Sequence, residues 1–417
     1  MTRDHRLIAG AVATGVAAAI PLYFALRPSE PLAMPVQPPA QRAIMLQLDI
    51  AMPSLEPQPA REATLSEEGE EEIRRRVAVL AGELSRMWTK SPERLVSVIE
   101  RASRQSKTSP PVTLLLAIAH AETNGMILDV SEAGAVGLAQ ATPVAYLQED
   151  FKGKLFVTSD YLIGARAYIT KKPLGDAYKI ASIALDSGAG GMKRAKKLLR
   201  AAKTLRREGL NELEYLRPYA RPRFFDSLTV ADKRNKAVLN ELQNLLESND
   251  RPALRRFRDR VHADYTDLRQ EQLRTWKRYQ KELIAERDEL LTDRFGTRAK
   301  YLPEGLVYEA SEFLAERLDE RFSARLMAAF LVKHLETKAV EARRLTRIES
   351  RVEAMTAALY NGGSHNVKRM LAGLIASLPE TEKYMKKVPA TRRRLDATVG
   401  RVETGGPLTR GMLRTLR

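Results

Sequence analysis

The stretch LLLAIAHAETNGMILDVSEAGAVGLAQATP, Leu114 to Pro143, decides how the chain reads. Pro110–Pro111 stand ahead of it as a helix start, and its first ten residues are apolar on nearly every side. Such a helix is expected to be buried. Glu122 closes it, and Asn124–Gly125 is a turn signal. A carboxyl group at the mouth of a buried apolar helix is partly desolvated, which raises its pKa toward the range a general acid needs near neutrality. Beyond the turn, Ser131, Gly134, Ala135 and Gly137 let backbone approach closely, while Gln140 offers an amide that both donates and accepts. Position alone does not set Glu122 apart from the many solvated glutamates at helix ends.

Composition frames that stretch. The chain has 417 residues, and its 69 Lys and Arg exceed its 52 Asp and Glu to give a net charge of +17. Such an excess suggests an anionic partner: nucleic acid, a membrane surface or an acidic wall polymer. There is no cysteine. Disulfide frameworks, thiolate zinc sites, iron–sulfur centres, Cys nucleophiles and a lipoprotein anchor are thereby excluded. Aromatics are sparse, Ala, Leu, Glu, Arg and Lys abound, and no alternating strand series or solenoid repeat is evident. An all-α fold is expected.

The organisation along the chain follows from local pattern. Leu7 to Leu26 carries no charge and is long enough to span a bilayer as a helix, with Arg3, His5 and Arg6 ahead of it. Residues 1–27 are expected to be an N-terminal transmembrane helix, uncleaved, with a signal peptide as the rival reading. Residues 28–64 form a Pro-rich linker. A helical lead-in covers 65–91, with acids before bases as the helix dipole prefers. Ser91–Pro92 is expected to cap and open the next helix. Lys193 to Arg207 holds eight bases and no acid, and residues 251–300 hold 14 bases and nine acids around apolar positions at spacings of three and four. These charged helices are expected to form a solvated arm or hairpin, an insertion over 151–320. Residues 391–417 make a basic tail.

The opening stretch resembles the first two motifs of the lytic transglycosylase family, whose catalytic domain has a fold related to goose-type lysozyme. That family shows an apolar helix ending in Glu-Ser, then Ser-x-x-Gly-Ala-x-Gly-Leu-Met-Gln closed by Pro. Here Glu122–Thr123 is followed by Ser131 to Gln140 and then Pro143, with Ala139 in place of the usual Met. Leu359-Tyr360-Asn361-Gly362-Gly363 resembles the family's Ala-Tyr-Asn-Gly-Gly motif, and Glu380-Thr381 with Tyr384 resembles its Glu-Thr-x-x-Tyr stretch. Four motifs in one order are far more specific than any of them alone. A second register, with Leu185-Asp186-Ser187-Gly188 at the third motif, lacks both Tyr and Asn. The lysozyme-like domain is therefore expected in two parts, 92–150 and 321–390, around the insertion.

The resemblance implies a peptidoglycan lytic transglycosylase, periplasmic and inner-membrane anchored through residues 7–26. It implies Glu122 as the catalytic residue, Gln140, Tyr360, Asn361, Tyr384 and Ser131 as substrate-binding residues, and no cofactor or metal. Peptidoglycan glycan strands would be the partner, an envelope protein could dock on the insertion, and nucleic acid is not expected because the basic stretches carry no recognised motif. Tyr360 and Tyr384 also read as ordinary packing aromatics, and Ser131 as a turn cap. Two other readings compete. A hydrolytic muramidase would need a second carboxylate, with Asp129, Glu132 and Asp186 available. A non-catalytic peptidoglycan-binding scaffold would work through its helical insertion.

Overall fold

The computed structural model describes residues 67–403, apart from 89–91, 152, 187 and 377–378. The expected membrane anchor and Pro-rich linker lie outside the described residues, as do Ser91 and the end of the basic tail. Among the described residues no helix is long and apolar enough to cross a membrane.

The described chain is all-α, with two isolated bridges, Val130 to Val136 and Val136 to Ala141, in place of any strand. Its helices are α1 (Glu67–Leu84), α2 (Glu93–Gln105), α3 (Val112–Thr123), α4 (Pro143–Gln148), α5 (Ser159–Asp186), α6 (Gly188–Asn211), α7 (Pro222–Ser248), α8 (Arg251–Phe295), α9 (Glu304–Arg317), α10 (Ala324–Thr346), α11 (Glu349–Gly362), α12 (Ser364–Leu371) and α13 (Pro379–Glu403). Pro92 occupies the N-cap position of α2 rather than its first turn. α3 is the buried apolar helix its sequence announces, with Leu115 to Ala119 fully enclosed. It stops where Asn124 turns left-handed (φ 52°) and Gly125 follows at φ +82°.

The main hydrophobic cluster gathers α3 with Leu80 and Leu84 of α1, Leu95 and Ile99 of α2, Met327 and Phe330 of α10, and Val388 and Leu395 of α13. The lead-in and the start of the tail are thus part of this core, because their helices bury apolar faces on it. Residues 151–320, expected as one charged insertion, pack in two ways. Leu174 to Ala184 of α5, the apolar side of α6, Val238 to Leu246 of α7 and Leu254 to Val261 of α8 build a separate cluster, the arm. Tyr161 and Ile169 of α5 and Tyr279, Leu283 and Leu291 of α8 belong to the main core instead. The solvated arm is therefore only the distal half of the segment.

Where α5 passes from one cluster to the other, the seam is polar. The Arg369 guanidinium bonds both carboxylate oxygens of Asp176 and the carbonyl of Lys172, and the Asn235 amide donates to Thr170 O at 3.0 Å. Pro173 sits at this handover inside α5 and leaves the helix one donor short.

Candidate active site

Glu122 sits on the last turn of α3. Protein crowds it on most sides, yet part of its surface remains open to solvent. Burial pushes its carboxyl up from 4.5 to about 7, and Tyr384 and the Lys387 ammonium pull against that rise. Both come from α13, one helical turn apart. Tyr360 of α11 is the third neighbour: the Glu122 charge, after burial, helps hold its phenol far above the ordinary range, as it does for Tyr384. Both tyrosines are thereby kept as neutral hydroxyls. The Tyr384 hydroxyl is buried against the carboxyl, although no acceptor meets it at strict hydrogen-bond geometry.

These side chains are fixed from behind. The Tyr360 hydroxyl donates to Ala139 O at 2.8 Å, tying α11 to the loop that follows Glu122. Its ring lies edge-on to His334, whose Nδ1 is 2.7 Å from Glu149 Oε1. Lys387 Nζ donates to His120 O at 3.1 Å. The Trp88 indole N–H donates to His120 Nδ1 at 3.1 Å, and burial with two nearby cations lowers that imidazole to about 4. His120 is therefore a neutral acceptor at physiological pH. Trp88 also lies flat on Gly125, where an added Cβ would come within 2.3 Å of its ring.

The loop from 128 to 141 is held in place by the charged segment. Gln280 donates to Val130 O at 2.8 Å, and Arg287 to Leu128 O at 2.5 Å, both from α8. Arg321, fully enclosed, donates to Gly134 O at 2.9 Å while pairing with the equally buried Asp319 and with the Tyr279 hydroxyl. Asp319 in turn accepts from Phe156 N at 3.1 Å. Gly134, at φ +68°, leaves room for the Tyr279 ring, which an added Cβ would meet at 1.8 Å. A buried charge pair of this kind tolerates no missing partner.

 Of the residues expected from sequence, Glu122, Tyr360 and Tyr384 meet in one place, although 238 positions separate Glu122 from Tyr360 and 262 separate it from Tyr384. Gln140 ends the loop in a left-handed conformation (φ 42°), next to the carbonyl that Tyr360 grips, and its amide donates to Gly137 O at 3.1 Å. Asn361 is exposed beside Tyr360 and accepts from the Thr381 hydroxyl at 3.1 Å. Ser131 lies in the loop between α3 and Gln140. Its hydroxyl accepts from Ala135 N at 3.0 Å and closes the turn, the turn-cap use of Ser. Leu185 and Asp186, the rival third motif, lie at the end of α5 with Leu185 packed on the arm cluster.

Sequence reasoning missed Lys387, Trp88, Tyr279 and the Asp319–Arg321 pair. Lys387 alone carried a signal, standing three residues after Tyr384 on one helix face. Asp129 and Glu132 are exposed, and Asp129 accepts from Val130 N at 3.0 Å. Among the described residues no group of His, Asp and Glu is arranged to hold a metal ion. No protein-family model matches the chain, and no curated protein or solved structure is significantly similar to it.

Proposed function

We propose that the chain is a peptidoglycan lytic transglycosylase with a lysozyme-like catalytic domain, and that Glu122 is its single general acid and base. The observation that carries the reading is a carboxyl raised to about 7, open to solvent on one side and facing two tyrosines from the third and fourth motifs. Glu122 would donate its proton to the glycosidic oxygen between N-acetylmuramic acid and N-acetylglucosamine as the C1–O bond breaks. The substrate's N-acetyl group would assist at C1, a route that needs no protein nucleophile. The Glu122 carboxylate would then take the proton from the C6 hydroxyl as its oxygen closes on C1. The product is a 1,6-anhydro sugar, no water is consumed, and Glu122 is protonated again. A pKa near the working pH suits both halves of that cycle.

Tyr360 and Tyr384, kept neutral, flank the carboxyl: the Tyr360 proton is committed to Ala139 O, and the Tyr384 hydroxyl is the one that would donate to the Glu122 carboxylate. Gln140, next to the carbonyl that Tyr360 bonds, and Asn361, beside Tyr360, would hold sugar hydroxyls or the acetamido group. Membrane anchoring through residues 7–26 and a periplasmic location belong to the same proposal. The test is to incubate full-length protein in mild detergent with purified sacculi and identify the released muropeptides by mass spectrometry. Anhydro ends from the native protein and none from Glu122→Gln support the proposal. Reducing ends would instead mean hydrolysis, and no release from the native protein would mean a binding role.

A further inference from the structure

The arm presents a basic face that no acid answers. On α6, Lys193, Lys196, Lys197, Arg200, Lys203, Thr204 and Arg207 recur at intervals of three and four, which places them on one stripe of the helix. The stripe runs about 21 Å along the axis. Lys193, Arg194, Lys196, Lys197, Arg200 and Arg207 are exposed, and among the described residues none of them enters an ion pair. The opposite face of α6 is committed to the arm core through Ala195, Leu198, Leu199, Ala202 and Leu205. The bases are therefore carried on a packed platform.

At its C-terminal end the stripe opens into a cavity of about 440 Å³ between α6 and α7, lined by Lys203, Arg206, Arg207, Lys236, Thr204 and Asn240. The acids near this groove are engaged: Asp232 pairs with Arg206, Glu241 with Arg260, and Glu208 with Lys368 of α12. Lys203 is held by Asn240 and Gln243. The cavity is large enough for one phosphate-bearing headgroup among four cationic side chains.

We propose that this face of the arm docks on a membrane leaflet rich in anionic phospholipid. The stripe itself bears no aromatic side chain to stack on sugars or bases, the usual partner of basic residues in grooves that bind single-stranded nucleic acid. It reads charge along a line. A leaflet of anionic headgroups asks for nothing else and attracts juxtamembrane basic segments strongly. The same chain carries the uncharged run Leu7 to Leu26, long enough to span a bilayer, so a membrane is the polyanionic surface its own sequence points to. The inference does not depend on the reaction assigned to Glu122.

Because the chain has no cysteine, Thr204→Cys gives a single labelling position in the stripe. Full-length labelled protein would be reconstituted into vesicles carrying a headgroup-attached quencher, either of phosphatidylcholine alone or with about one-third phosphatidylglycerol. Docking should quench the label on the anionic vesicles only, and about 0.5 M salt should release it, as screening requires. In the background Lys196→Gln, Lys197→Gln, Arg200→Gln and Arg207→Gln, the docking constant should fall about fivefold per base, corresponding to about 1 kcal/mol each. These bases are exposed and unpaired, so far-UV circular dichroism should show the fold kept. Equal quenching on neutral and anionic vesicles overturns the proposal. So does an anionic response that survives the fourfold variant, or a label protected by RNA or sacculi but not by vesicles.

Discussion

Replacing Glu122 by Gln should stabilise the protein above neutrality, and the size of the effect follows from the site. The carboxyl is pushed from 4.5 to about 7 chiefly by burial, a difference that corresponds to about 3 kcal/mol. Below pH 4.5 the group is protonated in the folded and unfolded chain alike, and it contributes no pH dependence. As pH rises from 4.5 to 7 the unfolded chain ionises first, so the folded state loses stability progressively. Above 7 both are ionised and the loss is complete. Gln cannot ionise and escapes this loss. The variant should therefore match the native protein near pH 4.5 and exceed it by up to about 3 kcal/mol at pH 8, roughly 5 °C in melting temperature. Urea unfolding of both proteins at pH 5 and pH 8, followed by circular dichroism, measures it. A gap that is equal at the two pH values, or a variant less stable at pH 8, would refute the buried, raised carboxyl on which the proposed chemistry rests.

Three further outcomes follow from the same geometry. The Lys387 ammonium favours the Glu122 carboxylate, so Lys387→Met should raise the Glu122 pKa further and move the alkaline limb of sacculus digestion to higher pH; a limb that stays in place counts against the pairing. Arg321→Met strands Asp319 as an unpaired buried charge and should cost about 3–5 kcal/mol in urea unfolding, with part of it recovered by adding Asp319→Leu. Gly134→Ala drives a methyl into the Tyr279 ring at a left-handed position and should cost more than about 1 kcal/mol by the same measurement, while Ala133→Ser nearby should be close to neutral.

The part of this arrangement that was readable in sequence is the part with a local signature. The apolar run of α3 fixes its own burial, and Asn124–Gly125 fixes where it ends, so the partly desolvated Glu122 follows from one short segment. Tyr360 and Tyr384 were readable only through motif order, because nothing in their neighbourhoods says that α11 and α13 converge on α3. The supporting pair was not readable at all. Asp319 and Arg321 stand two positions apart in a stretch rich in charge, where burial is the exception. Likewise Thr275, Tyr279 and Leu283 make a stripe at four-residue spacing on a helix that is otherwise charged, and their burial depends on α5 and the 128–141 loop meeting them. Composition over the whole segment averages its two halves and reports only the solvated one.

That averaging concealed the role of α8. Its 45 residues form one continuous helix, about 68 Å long, which enters the arm cluster with Leu254, Phe257 and Val261 and the main core with Tyr279, Leu283 and Leu291. The same helix donates to the carbonyls of Leu128 and Val130 in the loop behind Glu122. A helix is stiff over this length compared with the loops at its ends, so the basic platform and the loop that shapes the acid share one rigid element. Removing residues 151–320 would take Asp319 and Tyr279 away and leave the buried Arg321, which holds Gly134 O, without its ion-pair partner. The segment is therefore structural for the site as well as a surface of its own, which is why a helical hairpin rich in charge can interrupt the motifs without separating Glu122 from Tyr360.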